Sequence, residues 1–111
     1  MADASPIERV RDRSRALFGG AQYRLEIGAA IARGDGVVCI KDLADELAES
    51  YPGAPGHGSV NNELKVLERA ELLVRGPRER SERRVYLLRQ PSHYWTFCAE
   101  VCDSAATAPK S

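Results

Sequence analysis

The sequence predicts a mainly helical fold with one small β-hairpin, and three observations lead there. Apolar residues recur at helical spacing in segments near 7–18, 21–33, 41–50, 59–69 and 92–102. Two short strand-like runs, Leu72-Leu73-Val74 and Val85-Tyr86-Leu87-Leu88, flank an arginine-laden tip containing Gly76-Pro77. At 111 residues and 43% hydrophobic, the chain suffices for one modest core, so a single domain is expected over residues 5–102. Residues 1–4 and the apolar-poor tail 103–111 are expected to be disordered.

The elements follow in order. Ser5-Pro6-Ile7-Glu8 reads as a helix start, with Ser as cap, Pro at the first helical position and Glu placed to close a capping box. Ile7, Val10, Leu17 and Phe18 supply its apolar stripe, and Gly19-Gly20 ends it. A second helix is expected from about Ala21 to Arg33, with Tyr23, Ile27, Ala30 and Ile31 on one face, closed by Gly34-Asp35-Gly36. Val37 to Ile40 is a β-branched run suited to one small strand. Lys41 to Ser50 is an amphipathic helix with Leu43, Ala44, Leu47 and Ala48 inward and its acids outward. After the loop YPGAPGHG, Ser59 is placed to cap a helix whose Val60, Leu64 and Leu67 share one face. The hairpin comes next, and Pro91 can open a last helix from roughly Ser92 to Cys102.

Charge is balanced overall, with 16 basic and 16 acidic residues, but unevenly distributed. Between residues 75 and 89, six Arg (75, 78, 80, 83, 84, 89) against Glu79 and Glu82 leave +4. Residues 26–50 hold six acids against Arg33 and Lys41, leaving −4. Such polarity predicts a basic side for an anionic partner and an acidic side away from it. The N-terminus MADASPIERV lacks an apolar leader, no apolar run reaches the roughly 20 residues of a membrane span, and three cysteines are too few for a disulfide framework. A cytoplasmic, non-membrane protein is the expectation.

The order helix, helix, strand, helix, helix, hairpin, helix resembles the winged helix-turn-helix regulators of bacteria, of the ArsR and MarR kind. The residues that carry the resemblance are Asp42-Leu43-Ala44 with Leu47, then Ser59-Val60 with Leu64, Val66-Leu67 and Ala70, then Leu72-Leu73 leading into the wing. It spans about Leu17 to Leu88. Two departures stand out: Glu71 occupies the place where such proteins usually carry Gly before the first wing strand, and the 51–58 loop is longer than the usual turn.

The resemblance implies a recognition helix over about 59–70 in the major groove and a basic wing over 75–84 on the backbone or in the minor groove. Asn61 and Asn62 suit bidentate bonds to adenine, Ser59 and Lys65 suit phosphate, and Arg69 stands free on the outer surface. Arg75, Arg78, Arg80, Arg83 and Arg84 are the wing's phosphate candidates. Tyr94, Trp95, Phe97 and Val101 on the last helix are the aromatic and apolar anchors expected to form a homodimer.

Cys98 and Cys102, four apart on a helix, share a face as two metal ligands must, with His93, His57 or Cys39 as partners for a sensor. Without a Cys-x-x-Cys pair or a His cluster, packing is the simpler role, and no metal or cofactor is expected. No phosphate loop, nucleophile elbow or HExxH motif points to an enzyme. The expected function is a sequence-specific transcriptional regulator binding double-stranded DNA. The alternative is a winged-helix module that binds a protein and does not read DNA.

Overall fold

A computed structural model describes residues 5–76 and 85–107. Among these residues it is mainly helical, with a small three-stranded antiparallel sheet. The elements run α1 (Pro6–Leu17), α2 (Arg24–Arg33), β1 (Val37–Val38), α3 (Ile40–Ser50), α4 (His57–Arg69), β2 (Leu73–Arg75), β3 (Leu87–Arg89) and α5 (His93–Ala106). No described helix is long and apolar enough to cross a membrane.

The chain divides into two compact units, Met1–Arg33 with His93–Ser111, and Gly34–Ser92. In the first, α1, α2 and α5 close on one another around Val10, Leu25, Ala29, Cys98, Cys102 and Ala105. The second buries Leu43, Ala44, Leu47, Val60, Leu64, Leu67, Leu73 and Leu87. Terminal segments that meet each other, and a middle segment that folds on itself, each satisfy their own apolar faces.

In the first unit the capping box forms as the sequence predicts: Glu8 N–H donates to Ser5 Oγ at 3.2 Å, and Ser5 N–H donates to Glu8 Oε2 at 3.4 Å. The apolar stripe of α1 is narrower than expected, because Ser14 takes a buried place while Leu17 faces outward at 47% exposure. Ser14 Oγ accepts from Leu25 N–H at 3.1 Å and donates to Ala21 O at 2.6 Å. A hydroxyl on one helix thereby satisfies an orphan amide in the first turn of the next. That cap is long-range, and α2 begins three residues later than its apolar pattern suggests.

Helix α5 runs four residues past Cys102, so the first part of the expected disordered tail is helical, with Ala105 buried. Its last turn contains no basic residue. Arg9 supplies the charge from α1, donating from Nε to Ala105 O at 3.1 Å and from Nη2 to Ala106 O at 2.7 Å. Orphan carbonyls at a helix C-terminus favour a cation, which explains why so apolar-poor a segment stays helical.

In the second unit, the expected hairpin strands pair antiparallel, with Leu73 opposite Arg89 and Val74 opposite Leu88. The isolated strand joins them on the other side of β3, Val37 opposite Leu88, giving the order β1-β3-β2. Ile40, expected to end that strand, instead begins α3. Ala48, expected inward, is exposed.

Helix α4 ends at its cap residue Ala70, and the residue after it carries the turn. Leu72 N–H donates to Leu67 O at 2.9 Å and Glu71 N–H to Glu68 O at 3.0 Å, the two bonds of a Schellman closure. Glu71 holds the left-handed conformation that closure requires, with φ 64°. The backbone demand for glycine is thus met by a non-glycine residue, at a cost of about 1–2 kcal/mol. Since the side chain is exposed, Glu71→Gly should raise the unfolding free energy by about 0.5–1 kcal/mol after the added freedom of the unfolded chain is subtracted. Urea titration of both proteins measures this, and an unchanged or lower value would show that strain at Glu71 is negligible.

Candidate nucleic-acid interface

The outward face of α4 is built by the helix period. Val60, Leu64 and Leu67 lie within one narrow sector and are buried, holding the helix against its unit. At about 100° per residue the opposite sector holds Asn62, Lys65, Val66 and Arg69, all exposed. Asn61 and Glu68 occupy one flank, and Ser59 and Glu63 the other, all half-buried.

This resolves the two asparagines. Asn62 projects from the middle of the exposed sector, while Asn61 lines a shallow cleft with Leu64, Lys65, Glu68, Arg75 and Leu87. At about 100 Å³ that cleft lies well below the roughly 300–1,000 Å³ of a small-molecule pocket. Its polar rim holds one ion pair, with Arg75 Nε 2.9 Å from Glu68 Oε2. Arg75 is therefore anchored to α4 rather than extended, a role that charge counting along the sequence does not reveal. Arg89 is similarly engaged, donating to Gly34 O at 3.2 Å. Arg78, Arg80, Arg83 and Arg84, the other arginines expected to contact phosphate, lie outside the described residues.

Ser59 is not the cap of this helix. Gly56 takes that position without a side-chain bond, and Ser59 sits within the first turn. Glycine is tolerated at a helix start, so the helix begins three residues earlier than a serine-cap reading places it. The first turn has no acidic residue, which leaves its amides favourable to an anion. His57, at the first helical position, lies 3.5 Å from the α3 carboxylate of Asp45.

The four anchors expected on α5 have different fates. Trp95 is buried in the chain's own interior, with its ring 5.2 Å from Tyr94. Tyr94 and Val101 are partly buried against the core of the first unit. Phe97 is 40% exposed and meets Phe18 edge-on at 6.4 Å. Among the described residues of this unit, the exposed large apolar side chains are Leu17 on α1 and Phe97 on α5.

Cys98 and Cys102 are buried and free, as is Cys39. Burial pushes both α5 thiols above their ordinary value, opposed at Cys98 by the neighbouring Tyr94 hydroxyl and at Cys102 by the Arg33 charge. Raised thiols away from water are poor nucleophiles, which favours packing over redox sensing. Among the described residues no group of three or more His, Cys, Asp or Glu is arranged to hold a metal ion.

Comparison of the chain with family models, curated proteins and solved structures finds no match. The functional reading therefore rests on the geometry of α4 and the neighbouring strands.

Two residues at this surface escape a reading by residue type. Glu68 reads as a solvated acid but anchors Arg75, and Val66 reads as core but faces outward. The signal for Val66 was its four-residue spacing from Asn62, which places both on one helix face.

Proposed function

We propose that the chain is a sequence-specific DNA-binding regulator of winged helix-turn-helix type, acting as a homodimer, with α4 entering the major groove. The observation that carries this reading is the division of α4 into a buried apolar sector and an outward one bearing Asn62, Lys65 and Arg69. Asparagine can form two bonds to adenine, and the two cations suit the phosphates lining the groove. The β2–β3 pair beside this helix leads into a segment with four arginines, as a wing that follows the backbone requires. Phe97 and Leu17, the exposed large apolar side chains of the first unit, are the candidates for the dimer's apolar contact. A module that binds a protein instead is favoured by one observation, the Glu68–Arg75 pair, which withdraws a cation from the DNA-facing side.

The readings separate in a binding titration on selected and scrambled duplexes at several salt concentrations. Asn62→Ala should cost about 1–3 kcal/mol on the preferred site and relax preference at one position per half-site. Replacing Arg80 and Arg83 together should weaken binding to every duplex and flatten the salt dependence by roughly one unit of log slope per lost phosphate contact. Wild-type protein that shows no preference, and weak binding that vanishes near physiological salt, overturns the DNA reading and leaves the protein-binding one.

A further inference from the structure

We propose that Val66 is a specificity residue that reads the C5-methyl group of a thymine, an inference that rests on the DNA-binding reading of α4. Val66 is 38% exposed and stands among the polar residues of the outward sector. It lies one turn beyond Asn62 and three residues before Arg69, at the edge of the outward sector nearest Ser59. Its branched, uncharged side chain can neither bond a phosphate nor donate to a base edge. The thymine methyl is the apolar group that a major-groove floor presents, and it alone separates thymine from uracil there. Lys65 and Arg69, on the same outward sector, supply the charge complementarity that brings this face onto a duplex. Asn62 and Val66 together then specify an adjacent pair of features, an adenine edge and a thymine methyl.

The test begins with a duplex selected from a random-sequence, thymine-containing pool by the full chain. Affinities of wild type and Val66→Ser are measured on that duplex and on copies in which each thymine in turn is replaced by deoxyuridine, which removes the methyl group and leaves the base pair intact. At one thymine per half-site, wild type should lose about fourfold, the scale of one buried methyl group. Val66→Ser should bind the thymine duplex about fourfold more weakly than wild type and be indifferent to uracil at that position. Wild type indifferent to uracil at every position overturns the inference and leaves the DNA reading standing, as does a variant that keeps the wild-type discrimination. Failure of wild type to select any sequence overturns both.

Discussion

Replacing Arg11 with Met is expected to lower the unfolding free energy by about 3 kcal/mol, several times the effect of breaking an ordinary surface pair. Glu26 on α2 is 4% exposed, and Arg11 on α1 approaches it with Nε 2.9 Å from Oε1 and Nη2 3.5 Å from Oε2. The guanidinium also lies over the Tyr23 ring at 4.8 Å. Methionine keeps the apolar stem and deletes the charge, so the carboxylate stays in a nearly dry site and loses the Arg11 cation. Removing one member of a buried pair is what makes such a change severe, and replacing both is much milder. Arg11→Met with Glu26→Gln should therefore recover most of the loss. Urea unfolding followed by fluorescence of Trp95, the chain's one tryptophan, reports directly on the unit that holds the pair. A loss below about 1 kcal/mol for Arg11→Met would mean that water reaches Glu26 as it reaches a surface acid.

A second large effect is expected at Gly28 on α2, which packs against Cys98 of α5. A Cβ added there meets Cys98 Sγ at 2.6 Å and Cys98 Cβ at 3.1 Å. Both residues are buried in the core of the first unit, so neither helix can yield without moving the packing around Leu25 and Ala29. Gly28→Val should destabilise by about 3 kcal/mol through overpacking, well beyond any gain in helix propensity over glycine. Cys98→Ala removes the sulfur that is struck first. Gly28→Val should accordingly cost less in that background, giving a coupling of about 1 kcal/mol or more in a double-mutant cycle. Strict additivity of the two changes would show that the helices separate freely. The same contact gives Cys98 a packing role: its sulfur fills the space left by a missing side chain on the facing helix.

The legible parts of the candidate site were those that depend on period. Val60, Leu64 and Leu67 repeat at helical spacing, and their burial leaves Asn62, Lys65 and Arg69 outward without further information. Ser59 was misplaced because a serine after a glycine-rich loop looks like a cap, whereas Gly56 can begin the helix without one. Trp95 was read as an exposed anchor because a large aromatic suits an interface as well as a core, and residue type does not distinguish them.

What the sequence determined by itself was therefore local: helix existence and period, the Ser5–Glu8 capping box, the strand pair around the arginine-rich segment, and the unusual residue at the α4 exit. Each depends on groups within a few positions of one another, where backbone stereochemistry and side-chain spacing suffice. What only the tertiary structure decided was which distant groups meet. The pairing of β1 with β3, the Ser14 bond to Leu25, the Arg9 closure of α5 and the anchoring of Arg75 by Glu68 are settled by helices and strands packing together. These bonds join residues as close as seven positions and as distant as nearly the whole chain, and the physical reason is common to all of them. Buried polar groups and apolar faces must be satisfied in space, and the partner that satisfies them is set by how the elements pack.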